Sequence, residues 1–223
     1  MALILNIDTS TKSTSVALSE HGYLIELIEE HEVVSHASKL TPFIKAIFDK
    51  TTKNISDLDA VAINIGPGSY TGLRIGLSVA KGLCYTLEIP LIAFSGLEAM
   101  LFEAKRLYAS ENKLYVAAMN SRKNEIYAAF FNASTNTFIK PKPIVLDQDF
   151  LNNYKNDEIF MTGTGLEKIK LLNLDANIVF NENLIFSAKN MVQLSEKHFL
   201  SDTFADLAYV EPEYLKPFMT TTN

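Results

Sequence analysis

A single cysteine, Cys84, rules out an internal disulfide and suits a reducing cytosol. Arginine is nearly as scarce, occurring only as Arg74, Arg106 and Arg122. Lys plus Arg number 20 against 26 Asp plus Glu, a net charge of -6, so the basic excess that neutralises phosphates is missing and autonomous nucleic-acid binding is not expected. Long apolar runs are absent too. The opening stretch from Met1 to Ile7 has no basic flank and ends at Asp8, too short for a signal-peptide core or a membrane span. Secretion and membrane insertion are therefore not expected, and a cytoplasmic location is. There is no low-complexity segment. What the chain does have is 223 residues, 48% of them apolar. That length buries about 70% of the unfolded surface and makes one large or two small domains.

The first half alternates runs of branched apolar residues with longer stretches of helical spacing. Strands are predicted over residues 2–8, 14–19 and 23–29 as a meander, then at 60–65 and 91–94. Helices are predicted over 35–50, 71–87 and 95–108, the last capped by Ser95 with Glu98 three residues on. The order βββαβαβα predicts a mixed sheet covered by helices. The polar stretch 109–113 marks a boundary between a first domain, 1–108, and a second one, 109–223. Strands follow at 114–119, 125–131, 138–146, 159–162 and 176–180, with Pro141 and Pro143 suiting the third to an edge, and a last helix at 188–199. Both halves open on strand meanders, as an eroded duplication would. The tail segment Pro212-Glu213-Tyr214-Leu215-Lys216 is expected to dock back on the body.

Two segments resemble phosphate loops. Gly66-Pro67-Gly68-Ser69-Tyr70-Thr71-Gly72-Leu73-Arg74-Ile75-Gly76 joins a buried strand to a helix, where backbone N–H groups and the helix dipole favour an anion. Pro67 removes one donor, however, and neither Gly-Lys-Ser/Thr nor the dinucleotide spacing is present. The second is Asp8-Thr9-Ser10-Thr11-Lys12-Ser13-Thr14, an acid at a strand end followed by hydroxyls. In sugar kinases, Hsp70 and actin a loop of this kind holds metal and nucleotide phosphate, with a glycine where this chain has Thr9. Asp8, Thr9 and Ser10, together with the turn cation Arg122, are the candidate ligand-binding residues; the alternative is a Thr/Ser-rich turn and a solvated arginine.

Metal and nucleophile chemistry find little support. His31-Glu32-Val33-Val34-Ser35-His36 misses the zincin spacing by one residue, so on a helix the two rings would point about 140° apart. No G-x-S-x-G elbow occurs.

The second helix is more telling. Gly72, Gly76, Ala80 and Cys84 recur every four residues as a strip of small side chains, which lets another backbone approach closely. Leu73, Ile75, Leu77, Val79 and Leu83 add apolar surface on both flanks. A helix apolar around most of its circumference is either a central core helix or one face of a subunit contact.

Taken together, Ile7-Asp8-Thr9-Ser10-Thr11, the Gly66–Gly76 block and the closing Pro212–Lys216 segment resemble the bacterial TsaB (YeaZ) family along the whole chain, most strongly over the first hundred residues. The family usually has Asp-Ala-Arg where this chain has Asn120-Ser121-Arg122, and Tyr-Leu-Arg where it has Tyr214-Leu215-Lys216. The resemblance implies an α/β actin-like ATPase fold of the ribonuclease H-like class, with two lobes. It implies a non-catalytic subunit acting with TsaD, the longer paralogue that transfers a threonylcarbamoyl group to the adenosine beside the anticodon, and with the ATPase TsaE. It also implies a homodimer when the chain is alone, tRNA engaged only through the complex, and no tightly bound cofactor, with the subunit boundary as the place for ATP or ADP. By analogy His36, Leu40, Phe43, Ile44 and Ile47 of the first helix and Gly72, Leu73, Ile75, Gly76, Val79, Ala80 and Leu83 of the second form the partner interface. The competing expectations are an ATP-dependent phosphotransferase or ATPase of the same fold, and a metalloprotease of the glycoprotease type.

Overall fold

The computed structural model describes residues 2–31, 35–109, 113–154 and 156–216. The first lobe is a five-stranded sheet. Strands β1 (Leu3–Asp8), β2 (Thr14–Glu20) and β3 (Tyr23–Glu30) form an antiparallel meander, and β4 (Ala60–Asn64) and β5 (Leu91–Phe94) add in parallel on the other side of β1. Helix α1 (His36–Asp49) joins β3 to β4, α2 (Tyr70–Leu87) joins β4 to β5, and α3 (Gly96–Leu107) leaves β5 for the second lobe. That lobe holds β6 (Lys113–Asn120), β7 (Glu125–Asn132), β8 (Thr137–Val145), β9 (Glu158–Thr162) and β10 (Ile178–Asn181), with the short α4 (Leu166–Lys170) between β9 and β10. Helix α5 (Val192–Leu200) closes the helical count and returns to the first sheet.

The two sheets have the same topology. The first runs β3-β2-β1-β4-β5 and the second β8-β7-β6-β9-β10, with matching parallel and antiparallel pairings. The helices differ. Where the first lobe has α1 the second has only a 3-10 turn, Asn152–Tyr154, and the counterpart of the 18-residue α2 is the 5-residue α4. The two halves thus share strand order without a shared set of helices.

Every residue of β1 and β4 is buried, because helices cover both faces of the first sheet. Leu3, Leu5 and Ile7 face α1 and α2, meeting Leu40, Ile44 and Ile47 from one and Leu77, Ala80 and Cys84 from the other. On the opposite face Ile4, Ala62 and Ile92 meet Ala99 of α3 and Val192 and Leu194 of α5. The other side of α3 presents Leu97, Met100, Leu101 and Ala104 to Tyr115, Ala117 and Phe160 of the second sheet, so one helix is core to both lobes. The sequence-predicted helix over 188–199 is a 3-10 turn, Ala188–Met191, followed by α5.

Much of the helix surface expected at the partner face is turned into the chain's own core. Leu40, Ile44, Ile47, Gly72, Leu73, Gly76 and Ala80 are buried within the chain's own core. The small-residue strip looks inward: a Cβ on Gly72 would sit 2.1 Å from the carbonyl oxygen of Thr9, and one on Gly76 would sit 2.3 Å from its Oγ1. The backbone that approaches closely is therefore the chain's own β1–β2 loop. His36, Phe43, Ile75, Val79 and Leu83 stay half-buried, and Tyr70, Ser78, Gly82 and Tyr85 face outward on α2.

Candidate functional site

Both phosphate-like loops meet at the end of the first sheet. Asp8 closes β1 and is buried; its Oδ1 accepts from the Ser10 backbone N–H at 2.8 Å and from Asn64 Nδ2 at 3.1 Å. Burial pushes the Asp8 carboxyl above its ordinary value, opposed by the bonds from Ser10 and Asn64 and by the charge of His36. Asn64, the last residue of β4, uses its Oδ1 to accept from Gly66 N at 2.9 Å and Gly96 N at 2.8 Å. A single buried amide thus ties the β1 end, the Gly66 loop and the start of α3 together.

Several of the loop donors are engaged within the protein. Thr9 donates its hydroxyl to the Gly72 carbonyl at 2.7 Å, and Ser69 N donates to the Ser10 carbonyl at 2.7 Å. The Ser69 hydroxyl caps α2 by accepting from Gly72 N at 3.2 Å, while Leu73 N donates to the Ser69 carbonyl at 2.9 Å. Gly68 has no room for a side chain, because its Cβ would lie 2.3 Å from the Ser10 oxygen. The two loops are packed against each other, and the amides a phosphate would need at Gly66, Ser69, Gly72 and Leu73 are already engaged.

A cleft of about 740 Å³ lies between the lobes, with Ser10, Lys12 and His36 on one wall and Asn120, Tyr127 and Thr164 on the other. Ser10 reaches it with a buried side chain, whereas Asp8 stands behind the wall and Thr9 is turned toward α2. Arg122 lies apart from these three, in the β6–β7 turn beside a second cleft of about 630 Å³ that it shares with Arg74, Tyr70, Tyr127 and Tyr214. The candidate ligand residues are therefore not gathered around one point.

The histidines of the near-zincin run each take a hydroxyl: His31 Nδ1 pairs with Ser13 Oγ at 3.0 Å and His36 Nδ1 with Thr14 Oγ1 at 2.8 Å. Among the described residues no three His, Cys, Asp or Glu side chains gather as metal ligands. No helix there is long and apolar enough to cross a membrane.

Sequence reasoning missed Asn64; it expected the tail to dock on the body, and the structure supplies the contacts that hold it. Asn64 was legible only as a polar residue ending an otherwise apolar strand. In the latch, Arg74 Nε donates to the Tyr214 hydroxyl at 2.8 Å, and its guanidinium lies 4.0 Å from the Tyr70 ring centre. Glu213 N donates to the Ile65 carbonyl at 2.7 Å, laying the tail over the Gly66 loop.

A profile of the TsaD family, tRNA N6-adenosine threonylcarbamoyltransferase, matches residues 30–217. The tRNA threonylcarbamoyladenosine biosynthesis protein TsaB of Haemophilus influenzae is 30% identical, over 97% of this chain and 94% of its own. Among solved structures, YeaZ from Pseudomonas aeruginosa superposes with a TM-score of 0.80 at 27% identity, over 96% of this chain and 100% of that one. The polyphosphate/ATP-glucomannokinase of Arthrobacter sp. strain KM superposes at 0.52 with 11% identity, over 88% of this chain and 99% of that one, a likeness of fold alone. The paired sheets are thus those of the actin-like ATPase fold.

Proposed function

The chain belongs to the TsaB (YeaZ) family, and we propose that in the biosynthesis of threonylcarbamoyladenosine in tRNA it is a non-catalytic subunit that docks on a TsaD-like transferase and activates it. The observation that carries this reading is the closed state of the two loops. Two hydrogen bonds, from the Thr9 hydroxyl to the Gly72 carbonyl and from Ser69 N to the Ser10 carbonyl, tie them together, and the one loop carboxylate is buried behind the cleft wall. Such a site is poorly suited to bind a nucleotide tightly or to stabilise charge developing in a transferring group. The docking face in this proposal is the outward side of α1 and α2, where Phe43, Ile75, Val79 and Leu83 keep partly accessible apolar surface beside exposed Tyr85. The same face would make the homodimer when the chain is alone. A TsaE-like ATPase completes the assembly, and the cytoplasm is where it works.

The test mixes the purified chain with its TsaD-like paralogue and follows complex formation by light scattering and transfer of labelled threonylcarbamoyl to tRNA. The paralogue is expected to need the chain for full activity, and the chain alone to transfer nothing. Val79→Arg is expected to abolish the complex while the chain stays folded. Transfer by the isolated chain, or tight ATP binding to it, would overturn the proposal.

A further inference from the structure

Two of the chain's three arginines line the cleft of about 630 Å³ beside Gly68, one from each lobe. Arg74 comes from α2 and Arg122 from the β6–β7 turn. The groups that hold Arg74 are phenols, Tyr70 beneath its guanidinium and Tyr214 at its Nε, so its position is fixed while its charge is not neutralised. Among the described residues no carboxylate forms an ion pair with Arg122. Of the other charged groups at the cleft, Lys216 pairs with Glu125, and Glu213, whose carboxyl burial pushes above its ordinary value, is the one carboxylate among the described lining residues. A chain of net charge -6 therefore keeps two unneutralised guanidinium groups at one place.

The Arg122 turn is built to stay put. Lys168 of α4 donates to the carbonyls of Ser121 at 2.8 Å and Glu125 at 3.0 Å, and Glu125 N donates to the Arg122 carbonyl at 2.9 Å. Between the arginines the wall is aromatic, with Tyr70 and Tyr214 about two-fifths exposed and their ring centres 5.0 Å apart, and with Tyr127 alongside. Among the described residues Pro67 and Leu215 are the only aliphatic contributions besides Gly68, too few for a hydrophobic peptide anchor. Planar donors beside aromatic faces match an unpaired nucleotide, whose phosphate takes the guanidinium fork and whose base stacks on a ring.

We propose that this cleft is a direct RNA contact, binding the phosphate and base of an unpaired nucleotide through Arg74, Arg122 and the tyrosines. It gives the chain its own hold on the substrate RNA of the assembly; the choice of RNA rests on the tRNA-modification reading above.

The test measures fluorescence anisotropy of a labelled, unmodified anticodon stem–loop RNA with the full chain and with the chain bound to its TsaD-like paralogue, and AMP and inorganic phosphate serve as competitors. Arg122→Gln is expected to weaken RNA binding roughly tenfold, as loss of a charged hydrogen-bond partner does, and to lower the salt slope by about one. Arg122→Lys should restore the slope but only part of the affinity, because a point charge replaces a planar fork. Co-purification with the paralogue, read on the same samples, should not change. Equal RNA affinity in wild type and Arg122→Gln, AMP binding as tightly as the RNA, or no RNA binding in either form would each overturn the inference. Arg122-dependent RNA binding without any complex with the paralogue would leave it standing and overturn the docking proposal instead.

Discussion

Thr9 donates its hydroxyl to the carbonyl of Gly72 across 63 residues of sequence, at 2.7 Å, and this bond fixes how the β1–β2 loop lies against the first turn of α2. The approach is close because Gly72 has no Cβ. Placing one there would bring it 2.1 Å from the Thr9 oxygen, a backbone atom that cannot swing aside.

Gly72→Ala and Gly82→Ala should therefore have opposite signs although both lie within α2. Alanine gains about 1 kcal/mol over glycine in a helix interior. At exposed Gly82, where nothing lies within 4 Å of the added Cβ, that gain is expected in full. At Gly72 overpacking costs about 1–3 kcal/mol, and against rigid backbone the upper end applies, leaving a net loss of about 2 kcal/mol. Urea unfolding midpoints of the two variants check this; a stabilised Gly72→Ala would contradict the packing described.

Asp8 gives a prediction in pH. Burial raises its carboxyl above the ordinary 3.8, so in the window above that value the folded state holds more protons than the unfolded one. Its contribution to stability is fully present below 3.8 and is lost as pH rises through the folded value. Asp8→Asn keeps an oxygen to accept from Ser10 N and from Asn64, and has no charge to bury. Relative to wild type it should gain stability as pH is raised from 3.8 toward 7, measured by chemical denaturation across that range. A difference between the two proteins that does not vary with pH would show that Asp8 ionises as freely as in the unfolded chain.

The meander β1–β3, the α2 segment and the Ser95 cap of α3 were legible because each is local: alternation, helical spacing and a hydroxyl that accepts from the N–H two residues on, Leu97 N at 3.2 Å. The direction of the small-residue strip was not. Periodicity says which residues share a face, but only the tertiary partner decides which face looks inward, and that partner, Thr9, lies far away in sequence. Helix α4 was invisible for a different reason, being too short at 5 residues to show a period. Of the candidate ligand residues, the strand-end position of Asp8 was readable. Its burial was not, since it depends on Asn64, which is 56 residues away.

Cys84 is buried among the apolar residues beneath α2, with its Sγ 3.5 Å from the Pro90 carbonyl, and desolvation pushes its thiol up to about 11. Thiolate is the reactive form, so at pH 8 the native protein should resist iodoacetamide, and labelling should track unfolding as urea is added. Rapid labelling of the native state, followed by mass spectrometry, would mean that α2 opens from the sheet.

The tail is held at separated points, and that makes its attachment measurable. Tyr214 contributes both a hydrogen bond to Arg74 and an aromatic face beside its guanidinium. Removing them in Tyr214→Ala leaves the Glu213 N bond to Ile65 in place but less protected. Hydrogen exchange at the Glu213 amide is expected to speed up about fivefold, while amides of the buried β1 strand keep their rates, since the tail opens as a local unit. If Glu213 exchanged no faster in the variant, the latch between α2 and the tail would not be what holds the segment over the Gly66 loop.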